Sequence, residues 1–485
     1  MAKFDYDLIV IGGGAAGLTA STGAGRLGAK VLLVEKEKTL GGDCLHFGCV
    51  PSKSLIKSAS VYSEIRNAAR YGLPEMSVPP VDFSRVRERI RGIISAIQLH
   101  DSPEWLKRKY NVDTRFGPVR FFDPHTIELA GEKITARNFF IATGSSPSVP
   151  PVPGLDSVPY LTNKDIFSLE RLPPSMTVLG GGPIGLEMAQ AFSRLGSRVT
   201  VVEAADQVLP REDEDVAALV EKILKSEGVR ILTKARAVRA AKKDGGVLLA
   251  VESAGWEEDL HSEALLVAVV RRPNTEGLDL GKAGVVCDSK GIPVDGRLRT
   301  SAKHIYAIGD VNGSYPFTHV AGYEGGTAMV NAIMRLPVKA DYSKVPWCTY
   351  LDPEVASIGH NEKRAREAGL DFKIQREEFK DNDRALAEGA AEGFMKILIG
   401  KGDRVLGVQI VGPRAGELIH EWVAALNGRV GLSTLAQAIH AYPTLSEINK
   451  RASGDWLAPK LFNDLARRVL KAAFGLQGKA SGWED

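Results

Sequence analysis

Cysteine is scarce. The chain holds four among 485 residues, Cys44, Cys49, Cys287 and Cys348, too few for the dense disulfide framework that staples small secreted domains. It also lacks any uninterrupted apolar run of about 18 residues, the length a membrane-crossing helix requires. The start, Met1 to Asp7, is charged and leads directly into Leu8-Ile9-Val10-Ile11 without the basic region, apolar core and small-residue cleavage site of an export signal. These absences point to a reducing cytoplasm. Neither charge sign dominates: 62 Lys and Arg against 59 Asp and Glu leave a formal charge of +3, which speaks against a dedicated nucleic-acid binder. No long biased tract signals disorder. A chain of this length exceeds what one core usually organises, so two to four domains are expected.

What is present begins with glycine. The buried-strand pattern Leu8–Ile11 runs into Gly12-Gly13-Gly14-Ala15-Ala16-Gly17, then a helical stretch, then Val31–Val34 ending in Glu35. In such a βαβ unit Gly12 permits the tight turn, Gly14 lets backbone approach a pyrophosphate, Gly17 lets helix and strand pack closely, and Glu35 accepts from ribose hydroxyls. The unit returns as Gly180, Gly182, Gly185 and Glu203, each 168 residues after its counterpart, without an insertion. Two dinucleotide sites on one α/β chain follow from that repetition.

Directly after the first unit stands Gly41-Gly42-Asp43-Cys44-Leu45-His46-Phe47-Gly48-Cys49-Val50-Pro51-Ser52-Lys53. Pro51 suits a first helical turn, and Leu55, Ile56, Ala59 and Tyr62 recur at helical spacing, so Cys49 is expected at a helix amino terminus. An unperturbed thiol is only roughly 3% ionised at pH 7, and a helix dipole with Lys53 nearby favours the thiolate. Redox chemistry is one reading of the pair. A zinc site is the other, but only His46 and Asp43 stand near and no second cysteine pair accompanies them; no metal is expected. Cys287 and Cys348 are single and read as ordinary thiols.

With Ala142-Thr143-Gly144, Arg272-Pro273-Asn274, Ile305 through Gly309-Asp310 and Tyr442-Pro443-Thr444-Leu445-Ser446-Glu447, these residues resemble the class I pyridine nucleotide-disulfide oxidoreductases, among them dihydrolipoamide dehydrogenase, glutathione reductase and mercuric reductase. The resemblance runs most of the chain. It implies two Rossmann-like domains, for FAD and for NAD(P), plus a carboxy-terminal α/β dimerisation domain. The expected boundaries are 1–150 with 272–342 for FAD, 151–271 for NAD(P), 343–453 for the homodimer interface and 454–485 for a tail.

By the same resemblance Gly12, Gly14, Gly17, Glu35, Thr143, Gly144, Gly309 and Asp310 hold FAD, and Gly180, Gly182, Gly185 and Glu203 hold the nicotinamide cofactor. Cys44 is the interchange thiol, Cys49 lies against the flavin, Lys53 stands near flavin N5 and Glu187 is its ion-pair partner. Tyr442 and Glu447 complete the neighbouring subunit's site. At the end of its strand Glu203 favours NADH, since Ala204-Ala205-Asp206 offers no Arg for a 2′-phosphate; Arg198 and Arg211 keep NADPH open.

The sequence departs from its relatives at four places. His46 and Phe47 replace an Asn and a small aliphatic, so His46 either tunes a sulphur or fills space. Val270 replaces a Gly. Tyr442 stands where dihydrolipoamide dehydrogenase and glutathione reductase carry a histidine base; a phenol titrates about 3 units above neutrality, roughly 4 kcal/mol from its useful form. His440, two residues earlier, reads as structural. Mercuric reductase is similar in having Tyr, yet its carboxy-terminal cysteine pair is missing, since no Cys follows Cys348.

The resulting expectation is an NADH:acceptor reductase of mercuric-reductase-like type with an unidentified disulfide, metal or quinone-like acceptor. The alternatives are dihydrolipoamide dehydrogenase and a flavin-bearing redox sensor or membrane-associated protein. The last rests on the tail, where Leu461, Leu465, Val469 and Ala472 share a helical face with Arg467, Arg468 and Lys471 elsewhere. Such a helix more often covers its own protein than a membrane.

Overall fold

A computed structural model of the chain describes residues 4–478. It divides into two compact units, Met1–Pro210 with Glu221–Tyr342, and Arg211–Val220 with Ser343–Asp485.

In the first unit Leu8–Ile11 is the centre of a parallel layer. The strand Tyr6–Ile11 pairs with Val31–Glu35 on one side and Glu132–Ile141 on the other, with Leu8 opposite Val31 and Ile9 opposite Phe139. A strand buried on both faces has no polar side to show, which is why these segments are continuous apolar runs. Alternation divides them: Ile9 and Ile11 enter one core with Phe121 and Phe139. Leu8 and Val10 enter the other, against Ala20 and Ala24 of the helix Ala15–Arg26.

A second parallel sheet repeats the pattern with Ser175–Leu179, Arg198–Val202, Ala264–Val267 and Arg230–Leu232 around the helix Pro183–Leu195. The offset of 168 survives in the hydrogen bonds. Gly12 N donates to Val34 O at 2.7 Å and Gly180 N to Val202 O at 2.9 Å. Gly41 N reaches Gly13 O at 2.8 Å, and Leu209 N reaches Gly181 O at 2.9 Å. Gly12 and Gly180 have φ of 110° and 116°, a region closed to most L residues. A Cβ on Gly17 would stand 1.9 Å from Gly12 O, and on Gly185 2.0 Å from Gly180 O. Both helices therefore need glycine to approach their strands. Between the two nucleotide units, Ser145–Ser148 pairs antiparallel with Val270–Pro273; Val270, the residue in place of a Gly, is an exposed member of that ladder.

The second unit is a five-stranded antiparallel sheet, in the order Pro346–Thr349, Glu354–Gly359, Val405–Gly412, Phe394–Ile399, Lys373–Glu378. The helix Ala415–Gly428 covers it through Leu418, Ile419 and the fully buried Trp422. The segment Arg211–Val220, expected within the nucleotide domain, groups here because its acids meet a buried lysine. Lys396 Nζ donates to Asp213 at 2.9 Å, Asp215 at 2.7 Å and Glu362 at 2.9 Å, and its side chain is 2% exposed. Those three carboxylates converge as metal ligands would, with the ammonium at their centre.

The tail departs from expectation. The helix Glu447–Leu461 runs straight through position 453, and a new helix begins at Asp464, capped by Asn463 Oδ1 accepting from Ala466 N at 2.9 Å. Leu461 thus ends one helix while Leu465, Val469 and Ala472 belong to the next. That second helix, Asp464–Phe474, holds no fully buried residue; Ala466 and Arg467 are half-buried and the others exposed.

Candidate active site

The mouths of the two nucleotide units are built alike. Glu35 Oε2 accepts from Gly13 N at 2.7 Å and its Oε1 from Glu37 N at 2.8 Å. Glu203 does the same with Gly181 N at 2.6 Å and Ala205 N at 2.7 Å. Each acid is thereby fixed at the carboxyl end of its strand, where a ribose would lie. The helices after the glycine turns start at Ala15 and Pro183, with Gly14 and Gly182 at the caps and no side-chain cap bond, leaving first-turn N–H groups for an anion. Glycine approach, free donors and a positioned acid fit one dinucleotide in each copy. Arg198 opens its strand while Glu203 follows the other end, roughly 16 Å away. A cation beside the Glu203 turn is Lys234, 3.7 Å from Asp206, which no motif marked.

Next to the first mouth, Thr143 Oγ1 donates to Asn274 O at 2.6 Å, and Asn274 Nδ2 returns a bond to Thr143 O at 2.8 Å. Gly144, with a φ of 68°, makes the turn and accepts from Asn274 N at 2.9 Å. Gly309 N donates to the fully buried Glu324 at 2.6 Å, and a Cβ on Gly309 would contact Ala16 at 3.4 Å. Asp310 is thus set close to the first glycine helix, and its Oδ2 accepts from Ser145 Oγ at 2.5 Å. Ser145 and Glu324 carried no sequence signal; each is a polar residue among many until the fold gives it a partner.

Cys44 lies in the short helix Gly42–His46, and Cys49 is the first residue of the helix Cys49–Arg66. The neighbouring Cys49 sulphur and burial together push the Cys44 thiol up. Cys49, exposed at the start of its helix, is held down to about 6, first by the neighbouring Cys44, then by the Thr318 hydroxyl 3.5 Å away and by the Lys53 charge, against desolvation. Of the two sulphurs, Cys49 is thus the one favoured as thiolate. Thr318 is the residue that sequence reading missed, because it opens a helix 269 residues further on.

One turn into the Cys49 helix, Lys53 Nζ donates to Glu187 Oε2 at 2.7 Å. Glu187 is 6% exposed in its side chain and sits one turn after the second glycine turn. The pair joins the cysteine helix to the second nucleotide unit. His46 Nε2 lies 2.8 Å from Leu40 O and 3.3 Å from Thr39 Oγ1, which ties the ring to the loop before Cys44.

In the second unit Tyr442 is 71% exposed, and its Oη donates to Asp383 Oδ2 at 2.7 Å, which raises its pKa. Glu447 accepts from Thr444 N at 3.3 Å. Within one chain these two are therefore engaged with different partners. His440 Nε2 lies 3.0 Å from Glu421 Oε1, and Asn449 Nδ2 donates to the other oxygen at 2.7 Å, an interior brace.

The family described as "Pyridine nucleotide-disulphide oxidoreductase" matches residues 6–325, and its dimerisation domain matches residues 345–453. A dihydrolipoyl dehydrogenase of Bacillus subtilis (strain 168) is 38% identical over 448 residues, 91% of this chain and 96% of that protein. One of Thermus scotoductus is 39% identical over 453 residues, 91% and 95% of the two chains. Among solved structures, the HOCl-induced flavoprotein disulfide reductase RclA from Escherichia coli superposes with a TM-score of 0.82 at 28% identity, over 93% of this chain and 99% of that one. A structure described as the Cu(II) complex of the same protein matches equally well, with a TM-score of 0.82 at 28% identity over 94% and 99% of the two chains. These names correct the mercuric-reductase-like expectation drawn from Tyr442: dihydrolipoamide dehydrogenase, the alternative, is better supported. No described helix is long and apolar enough to cross a membrane.

Proposed function

The chain belongs to the pyridine nucleotide-disulphide oxidoreductases, and from that premise we propose an FAD-dependent enzyme exchanging two electrons between NAD(H) and a dihydrolipoyl-type dithiol through Cys44 and Cys49. The observation that carries this reading is the cysteine pair at a helix start, with Cys49 Sγ 3.5 Å from Thr318 Oγ1 and the Lys53–Glu187 ion pair one turn further on. The substrate class follows the relatives' names.

In this reading residues 1–150 with 272–342 bind FAD, 151–271 bind the nicotinamide cofactor and 343–453 join two copies. Gly12, Gly14, Gly17, Glu35, Thr143, Gly144, Gly309 and Asp310 hold FAD, while Gly180, Gly182, Gly185 and Glu203 hold NAD(H). Bound FAD supplies the two-electron link between nicotinamide and sulphur. The chain's own residues manage charge and protons. A substrate thiolate attacks Cys44 Sγ of the bridge and releases Cys49 as a thiolate, which the Lys53 cation stabilises while Glu187 fixes the lysine. The second substrate sulphur, deprotonated, attacks the mixed disulfide, closes the substrate bridge and leaves Cys44 reduced. Tyr442 and Glu447 of the neighbouring copy take the place of a base, and a phenol whose pKa Asp383 raises further serves it badly.

Glu203 brings negative charge to the nucleotide ribose, which favours NADH over NADPH. The four-cysteine composition suits a reducing cytoplasm. A second reading gives the electrons to a small oxidant such as Cu(II). It is favoured by Tyr442, which hampers thiol exchange but not metal reduction, and by the Cu(II) complex of the structural relative.

One steady-state experiment tests these points. Dihydrolipoamide should reduce NAD+ with kcat/KM at least tenfold above NADP+, and Tyr442→His should raise kcat by roughly tenfold or more. No dihydrolipoamide turnover in either protein, with NADH-dependent Cu(II) reduction, would replace the first reading with the second.

We further infer that the helix Asp464–Phe474 rests on an anionic lipid surface. Leu465, Val469 and Leu470 are exposed along one side, and Arg467, Arg468 and Lys471 outnumber Asp464 on the other. Flotation should recover the full chain with phosphatidylserine vesicles but not with phosphatidylcholine vesicles, and truncation after Leu461 should abolish recovery. Unchanged recovery after truncation, or a change of oligomeric state instead, would sink this assignment.

A further inference from the structure

Asp43 directly precedes Cys44, and its carboxylate is gripped from two sides. Arg271 Nη2 donates to Oδ2 at 3.1 Å, and Asn163 Nδ2 donates to Oδ1 at 3.1 Å. The same Asn163 amide donates to the Phe47 carbonyl at 3.1 Å, so it ties together the residues on both sides of Cys44. Arg271 does not stop at Asp43. Its Nε donates to Ser145 Oγ at 2.8 Å and its Nη2 to Ser145 O at 2.9 Å, while Ser145 Oγ donates onward to Asp310. One guanidinium therefore spans the cysteine turn and the carboxylate proposed to hold the flavin chain.

The arrangement uses what arginine alone offers. Its planar fork presents several N–H groups in fixed directions, so one side chain serves Asp43 and Ser145 together, whereas a lysine is a single point charge. The strand Val270–Pro273 that carries Arg271 is laddered to Ser145–Ser148, which gives the guanidinium a rigid base. The ion pair is 22% and 33% exposed in its side chains, so it is partly shielded from solvent. A short turn such as Gly42–His46 has many unfolded alternatives, and closing the bridge requires Cys44 to stay near Cys49. Whatever restricts that turn raises the effective concentration of one sulphur at the other.

We propose that Arg271, assisted by Asn163, is a positioning residue that fixes the Cys44 turn against Asp43 and so favours closure of the Cys44–Cys49 bridge. The inference rests on reading these two cysteines as the redox pair.

Purified flavin-loaded enzyme is equilibrated anaerobically in dithiothreitol buffers of graded oxidised-to-reduced ratio, quenched with acid and alkylated, and the bridged fraction is read by mass spectrometry. Arg271→Met should lower the closure constant about tenfold, which moves the midpoint about 30 mV toward easier reduction. Asn163→Ala leaves every charge in place and should move it the same way, by roughly threefold in the constant. Arg271→Lys should fall between Arg271→Met and the native enzyme. Thermal unfolding of each variant reports folding separately, and Asn163→Ala decides the matter should Arg271→Met fail to fold. Native midpoints in folded variants would overturn the positioning role. A native enzyme that forms no bridge in any buffer would overturn the redox reading itself, and this inference with it.

Discussion

Cys44→Ser and Cys49→Ser should each abolish dihydrolipoamide oxidation, lowering kcat/KM by roughly a thousandfold or more, because neither sulphur alone can accept two electrons. The two positions differ in how they fail. Alkylation of the reduced native protein should follow an inflection near pH 6, with Cys49 slow below it and fast above it, since only the thiolate reacts. Cys44 is the largest influence holding Cys49 down. Cys44→Ala removes that neighbouring sulphur, so the inflection should move up toward the ordinary thiol range near 8.5. Cys44→Ser keeps a hydroxyl donor and should move it less. An inflection unchanged in Cys44→Ala would mean that Thr318 and Lys53 suffice, and that the influence of Cys44 has been misjudged.

Lys396→Met should cost the second unit about 3–5 kcal/mol, lowering the unfolding midpoint by on the order of 10 °C at fixed protein concentration. The reason is asymmetric. The native ammonium satisfies Asp213, Asp215 and Glu362 at once, and its removal leaves three acids facing each other in a partly buried space. Burial alone would lower the lysine's pKa, yet bonds to the three carboxylates raise it overall. A raised folded-state pKa means that this contribution is complete below the unfolded lysine value and is lost only as pH climbs through the folded one. The native and variant proteins should therefore differ fully at pH 7 and converge in strong alkali. Adding Asp213→Asn and Glu362→Gln to Lys396→Met should recover part of the loss. Calorimetry showing equal midpoints for the native protein and Lys396→Met would remove the ion cluster from any account of stability.

The two nucleotide units were legible because everything that defines them is local. A tight turn at Gly12, the approach of Gly17 to Gly12, and an acid at the next strand end all lie within about thirty residues, and backbone sterics permit few other residues there. Repetition at a fixed offset then made the reading redundant. The cysteine pair was legible for the same reason, being close in sequence and beside a helix start. Glu187 came only through resemblance, since 134 residues separate it from Lys53. Arg271, Asn163, Ser145, Thr318 and Lys396 were not found. Each is a polar residue that a surface would also accommodate, and only a distant partner distinguishes it. The tail misled in a different way. Periodicity exposed an apolar face but not what would cover it, and Asn163 or Asn463 looks the same in sequence whether it braces a loop or caps a helix.

The sequence by itself determined where the glycine turns, strand-end acids and paired sulphurs stand, because short-range backbone geometry and neighbouring chemistry leave little choice. Tertiary structure alone decided which hydroxyl meets the Cys49 sulphur, which arginine reaches the cysteine turn, and which lysine lies among three acids. Thr318, Arg271 and Asp213 each come from more than a hundred residues away from the group they meet, where Coulomb and hydrogen-bond energies act on final distances rather than on order along the chain.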